Sequence, residues 1–340
     1  MKVILDGMGG DHAPEETVKG AVEASKVIRG EICIVGIEHL INAELAKYDF
    51  DENRITVVHA GQVIAGEDAP VKAVRTKKDS SMVKGLNMVK NGEGDIFISA
   101  GNTGALLAGG LFILGRIQGI DRPTLASIYP SLGGGEPCLL VDAGANSECK
   151  PDNLLEFGIM GSIYMEKVLS RNNPRVGLVN LGVEENKGST LTKAAYELLD
   201  KSDVNFIGNV EAREIPGGVC DVIVCDGFVG NVILKLTEGL AWSLLKMLKK
   251  KFTDGVKATV GALFLKGKMR ELKKAFDYSE YGGAPILGVK GPIVKMHGSS
   301  KANAVKNTII KGIPYAEGAV VEIIQNSVLD IEEIIISEDE

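Results

Sequence analysis

The 340-residue chain is poor in aromatics, at 5%, holds one tryptophan and four histidines, and carries no excess of positive charge. Its formal net charge of −7 argues against a general nucleic-acid binder, which needs a basic surface to meet phosphates. The five cysteines (Cys33, Cys138, Cys149, Cys220 and Cys225) include no CxxC pair and no metal-type spacing. Cys33 and Cys225 sit inside apolar runs, where a thiol acts as a small buried hydrophobe, so a reducing, cytoplasmic compartment is expected. No stretch of about 18 apolar residues runs uninterrupted, so no membrane span is expected. The first residues read as a strand at once, so no signal peptide is expected. Nucleotide fingerprints are missing too. There is no GxxxxGKS or GxxxxGKT, and no GxGxxG between a strand and a suitably spaced acid. With no His/Cys/carboxylate cluster either, neither a cofactor nor a metal is expected.

What the chain does have is glycine, 42 residues gathered in short loops and not in a low-complexity tract. Short apolar runs predict strands at 3–5, 31–35, 54–59, 95–99, 137–141, 176–180, 204–207 and 221–225. Helical periodicity predicts helices at 15–28, 81–90, 104–117, 153–169 and 191–199. Near-continuous apolar strands alternating with helices need cover on both sheet faces, which predicts an α/β fold with a mostly parallel sheet. Neither a repeat nor a linker divides the chain. Residues 1–336 are expected to form one large α/β unit, or two lobes sharing a sheet, ahead of a short acidic tail at 337–340.

Four predicted strands run into small polar loops: DGMGGDHAP at 6–14, SAGNTG at 99–104, DAGAN at 142–146 and DGFVGN at 226–231. In an open parallel sheet the carboxyl ends of the strands share one edge, and ligands bind there. After the loop at 99–104 comes an apolar helix, with no acidic residue from Ile96 until Asp121. A helix start exposes free N–H groups and partial positive charge, normally offset by Asp or Glu in the first turn. Here nothing offsets it, so an anion such as phosphate fits. Asn102 and Thr103 can cap this helix or bind the same oxygens. The start at Gly230 and Asn231 is similar, with Lys235 one turn in and no acid before Glu238. Asp226, just ahead, is either a proton acceptor or an Asx turn. At the N-terminal loop Pro14, Glu15 and Glu16 already suit the helix start. That leaves the Gly9 and Gly10 backbone and the His12 imidazole as candidates, and a histidine beside a cap also has an ordinary structural reading.

Residues 246–274 hold ten basic side chains against two acids, Asp254 and Glu271. Phe252, Val256, Val260 and Leu263 recur there at helical spacing, with Phe264 beside them. An apolar stripe among lysines fits a basic amphipathic tip that lies on anionic lipid, or a docking face for an acidic protein. A solvated helix with a core-facing stripe fits the same pattern.

Further runs are SSM at 80–82, GIDRP at 119–123, the extension of the third loop to Lys150, GNVE at 208–211, YGGA at 281–284 and HGSS at 297–300. With the four loops they resemble the bacterial fatty acyl-carrier-protein:phosphate acyltransferase family of phospholipid synthesis, over nearly the whole chain. Gly7 and Ala143 stand where that pattern has Ala and Val. The resemblance implies a three-layer α/β/α sandwich related to phosphotransacetylases and isopropylmalate dehydrogenases, assembled as a homodimer. It implies acyl-carrier protein and inorganic phosphate as substrates of a reversible transfer that makes acyl phosphate, the first step toward phosphatidic acid. The product would pass to a membrane glycerol-3-phosphate acyltransferase. The basic segment fits twice, since the carrier is acidic and the consuming enzyme sits in the bilayer. A cytoplasmic, peripherally membrane-associated enzyme with no nucleic-acid partner is therefore expected.

For this chemistry phosphate is assigned to Ser99, Gly101, Asn102, Thr103 and Gly104, helped by the amides of Gly9 and Gly10. Lys187, in a loop after the strand at 176–180, is the first candidate for neutralising charge, against a solvated loop lysine. Arg122, Asn146, Lys150, Gly230, Asn231 and Lys235 are candidates for holding substrate. His12, Asp226 and His297 complete the catalytic candidates. His297 either donates a proton or hydrogen bond, or packs against a dimer partner. A dehydrogenase on the same fold would need a dinucleotide site and metal carboxylates, and a lipid-surface scaffold would not need four ligand loops.

Overall fold

Successive residues of the central strands point into opposite cores. Val3, Leu5, Ile32 and Ile34 pack into one apolar cluster, while Ile4, Cys33 and Val35 pack into the other. This period of two, with helices on both faces, makes a three-layer α/β/α sandwich. The computed structural model describes residues 1–131, 135–275 and 282–328. The strands are β1 (Lys2–Asp6), β2 (Glu31–Gly36), β3 (Ile55–His59), β4 (Ile96–Ser99), β5 (Thr124–Tyr129), β6 (Cys138–Val141), β7 (Val176–Asn180), β8 (Phe206–Glu211), β9 (Val222–Val224), β10 (Ala284–Leu287) and β11 (Ile293–Lys295). They form one sheet in the order β3-β2-β1-β4-β11-β10-β5-β6-β9-β7-β8. The helices are α1 (Glu15–Ser25), α2 (Glu38–Leu45), α3 (Pro70–Thr76), α4 (Ser81–Lys90), α5 (Thr103–Gly109), α6 (Pro151–Leu169), α7 (Thr190–Asp200), α8 (Gly227–Phe252), α9 (Val256–Ala275) and α10 (Ala302–Glu317). α5 continues as a wider π turn to Leu114, short of the predicted end at 117.

The sheet is mostly parallel, as expected, but it changes direction in the middle. β10 runs antiparallel to both β11 and β5, and β5 runs antiparallel to β6. The strands β3 to β11 on one side therefore point opposite to β6, β9, β7 and β8 on the other. This corrects the expectation that the four glycine loops share one sheet edge. The loops after β1 and β4 leave in one direction, and those after β6 and β9 leave in the other.

The two pairs of loops nevertheless approach each other, because the central strands are short. Ser99 pairs with Lys295, Lys295 with Ala284, and Ser127 with Leu140. Extending the β10–β5 register (Ile286 with Leu125) by two residues sets all of these at one level. Asp142, two residues past Leu140, thus lies only about 7 Å away along the strand direction.

α8, 26 residues long, leaves the sheet at its start, and α9 folds back along it. The basic segment is thus two helices joined at 253–255. By length and composition α8 is long and apolar enough to cross a membrane, although its first turns are mounted on the fold.

Candidate active site

The first half of the site is built on neighbouring strands β1 and β4. Asp6 ends β1 and is 2% exposed. It accepts hydrogen bonds from Ser99 Oγ at 2.7 Å and the Met8 amide at 3.1 Å. Burial raises its pKa, while bonds from Ser81, Ser99, Met8 and Gly9 pull it back down. Ser99 Oγ in turn accepts from the Gly101 amide at 3.0 Å. A Cβ on Gly9 would come within 2.6 Å of Asp6 Oδ2 and 2.7 Å of the Gly101 nitrogen, so only glycine lets the two loops close on this carboxylate.

Asn102 caps α5: its Oδ1 accepts from the Ala105 amide at 3.0 Å. Its Nδ2 donates to the carbonyls of Ala65, Gly66 and Asp68 at 3.3, 2.9 and 3.1 Å. Of the residues assigned to phosphate, Ser99 and Asn102 therefore have their side chains spent inside the loops, and Gly9 and Gly101 have their backbone amides bonded to Asp6 and to Ser99 Oγ. What faces outward is the start of α5. Its first turn holds no acid, and the amides of Thr103 and Gly104 have no intrahelical acceptor. With Gly10 they line a cavity of about 480 Å³.

A residue that strand prediction passed over completes this half. Lys295 ends β11, beside Ser99, and is 8% exposed. Its ammonium donates to the carbonyls of Ala100, at 3.3 Å, and Met296. Burial lowers its pKa to about 8, although the Asp6 and Asp11 carboxylates work the other way. Lys295, Thr103 and Gly298 line both this cavity and a neighbouring one of about 400 Å³. The only trace in the sequence is a lysine closing an apolar run just ahead of HGSS.

The second half-site borders that neighbouring cavity. Asp142 is fully buried and accepts from the amides of Leu125, Gly144, Ala145 and Asn146 and from Asn146 Nδ2. Asn146 Nδ2 also donates to Pro123 O at 2.8 Å, which makes Asn146 a strut of this loop. Asp226 caps α8, accepting from the Val229 amide at 2.8 Å. A Cβ on Gly230 would sit 1.8 Å from Asp142 O, so the helix start can dock here only with glycine. Asn231 and Lys235, one turn on, reach the cavity, where Lys235 also pairs with Glu238 at 2.9 Å.

His297 lines the same cavity. Its Nδ1 lies 3.2 Å from the Ser299 amide, which donates to it, so the neutral ring carries its proton on Nε2. Desolvation, then the Lys235 ammonium, lowers its pKa. Lys187, His12, Arg122 and Lys150 are exposed and line neither cavity. Lys187 belongs to the loop after β7, near the far end of the sheet, and Arg122 stands 3.9 Å from Asp121. The cysteines are unpaired, and burial pushes Cys138 and Cys149 up to about 11, so neither is a ready thiolate. Among the described residues no group of three His, Cys, Asp or Glu side chains could hold a metal.

Residues 1–322 match the family described as "Fatty acid synthesis protein". The chain is 57% identical to the phosphate acyltransferase of Alkaliphilus oremlandii, over 96% of this chain and 97% of the relative. It is 53% identical to that of Clostridioides difficile, over 95% and 94%. The chain belongs to this family of phosphate acyltransferases. It is therefore an acyltransferase. Among solved structures, a phosphotransacetylase from Streptococcus pyogenes superposes with a TM-score of 0.63 at 16% identity, covering 93% of this chain and 94% of that one. A branched-chain phosphotransacylase from Enterococcus faecalis gives 0.56 at 14%, covering 93% and 99%. At these identities the likeness shows the fold.

Proposed function

We propose that this acyltransferase moves a fatty acyl group from acyl-carrier protein onto inorganic phosphate, in the reversible first step toward phosphatidic acid. The observation that carries the reading is the junction at Thr103 and Lys295. There an acid-free helix start and a buried ammonium face one cavity, and a second cavity opens beside it. Phosphate bound by the Thr103 and Gly104 amides and by Lys295 has its charge met on two sides. A thioester in the second cavity then presents its carbonyl carbon within reach. A phosphate oxygen attacks that carbon, and the tetrahedral oxyanion collapses with cleavage of the C–S bond. The phosphate proton balances the leaving thiolate, giving acyl phosphate and free thiol. His297 Nε2–H is the donor for the oxyanion or the sulfur, and Lys295 is the fixed cation beside it. With no cysteine thiolate at hand, direct attack by phosphate is favoured over a cysteine-linked acyl-enzyme.

Two surfaces support the assembly. Val232, Leu236, Leu240 and Met247 are exposed on one side of α8, an apolar stripe that a second copy of this chain would cover. On α9, Val260 is 50% and Phe264 85% exposed among lysines, which suits peripheral contact with an anionic bilayer and hand-off to a membrane acyltransferase. Phe252 turns inward between α8 and α9. The side chains of Val256 and Leu263, and the tail at 337–340, lie outside the described residues. Incubation with acyl-carrier thioester, phosphate and hydroxylamine tests the transfer: hydroxamate should form only when phosphate is present, and its absence would end the proposal.

A further inference from the structure

The cavity beside Lys295 is walled on one side by Asn231, Leu234, Lys235 and Glu238 of α8. The same face continues past the site. Trp242, Leu245, Lys246, Lys249 and Phe252 line a separate cavity of about 580 Å³ between α8 and α9. At 3.6 residues per turn, all nine positions fall within about 60° either side of Asn231, so they form a single stripe. Only about 6 Å of rise separates Glu238 from Trp242, and a further ~15 Å carries the stripe to Phe252. Opposite, α9 contributes Ala262 and Met269, with exposed lysines at the rim. Near His297 the stripe is mostly polar (Asn231, Lys235, Glu238). Farther on, Trp242, Leu245, Phe252, Ala262 and Met269 give the groove an apolar floor, flanked by Ser243, Thr253 and the exposed Lys246, Lys249 and Lys266.

We infer that the groove between α8 and α9 holds the hydrocarbon tail of the acyl thioester whose carbonyl lies beside Lys295 and His297, and that it sets the length of chain transferred. The inference rests on the proposed transfer to phosphate. Its occupant follows from continuity: a substrate with a reactive polar head and a long apolar tail matches a helix face that runs from the site to an apolar floor of Trp242, Leu245 and Phe252, with lysines exposed along its rim. A two-carbon acyl group would end near Lys235 and leave the groove empty. Each methylene taken out of water favours binding by about fourfold, so a tail of this length gives strong discrimination.

Trp242 is the chain's one tryptophan, so its fluorescence reports on the groove. Acyl-carrier protein charged with a long acyl chain brominated at mid-chain should quench it saturably, and the brominated four-carbon thioester should not. Ala262→Phe narrows the groove from α9. Hydroxamate assays should then show at least a ~10-fold fall in kcat/KM for sixteen-carbon thioesters, with four-carbon transfer nearly unchanged. Quenching by brominated lipid vesicles but not by the brominated thioester would assign the surface to the membrane and overturn the inference. So would a folded Ala262→Phe variant with the wild-type ratio of long to short chains. If wild-type protein transfers no chain of any length to phosphate, the transfer reading fails first and takes the groove with it.

Discussion

Replacing Lys295 by Met keeps the aliphatic stem and removes the ammonium. The pKa of about 8, against 10.5 for an ordinary lysine, means the fold holds this proton less tightly than the unfolded chain does. At pH 7 the group is charged in both states, so the folded state bears the whole cost, about 3 kcal/mol for a shift of this size. That cost is relieved as pH rises from 8 toward 10.5. Lys295→Met removes it and leaves the Ala100 and Met296 carbonyls without this donor, which costs about 1 kcal/mol back. Net stabilisation of roughly 2 kcal/mol at pH 7 is expected in thermal or urea unfolding. Catalysis should move the other way. Loss of a fixed cation at the phosphate is worth about 3 kcal/mol, or a roughly 100-fold fall in kcat/KM for phosphate. Wild-type activity should also decline above pH 8 as the ammonium deprotonates, and the variant should lack that limb. A variant with wild-type phosphate kinetics, or one that is less stable and equally active, would refute the reasoning.

Asn102→Ala removes the α5 cap and the ties to residues 65–68; melting should show a loss of about 1–2 kcal/mol, and the Michaelis constant for phosphate should rise more than kcat falls. Gly230→Ala forces a methyl to within 1.8 Å of Asp142 O, so a loss of about 1–3 kcal/mol and weakened thioester use are expected, measured by unfolding and by acyl-transfer rates. Glu156 accepts from the amides of Asp121 and Arg122, and burial raises its pKa to about 7. The folded state thus holds that proton more tightly, so this group's contribution to stability is full below about pH 4.5 and is lost, by up to about 3 kcal/mol, as pH rises through 7; Glu156→Gln should remove that fall in melting temperature between pH 5 and 8. Val260→Asp with Phe264→Asp should abolish flotation with anionic liposomes while transfer to phosphate in solution persists.

Buried strands were legible where they form unbroken apolar runs, as β1, β2, β4, β6, β7 and β9 do. β8 runs from Phe206 to Glu211, later than 204–207, because its outer half carries Gly208, Asn209 and Glu211 on an edge. β5, β10 and β11 were missed. β10 contains Pro285 and β11 has three residues ending in lysine, so neither shows a clean period. Those are the strands across which direction changes, and β11 delivers Lys295; one omission therefore hid both the split of the loops between two directions and the cation of the site. The glycine-lined helix start at Thr103 was readable because charge is absent over a long stretch around it. Which of its groups face outward was not, since the bonds that occupy Ser99 and Asn102 come from Asp6 and residues 65–68, far away in the chain.

The most direct measurement is a crystal structure with phosphate bound. Phosphate oxygens should lie about 2.7–3.2 Å from the amides of Thr103 and Gly104 and from Lys295 Nζ. Phosphate bound elsewhere with this cavity empty, or a carboxylate folded across the start of α5, would contradict the account.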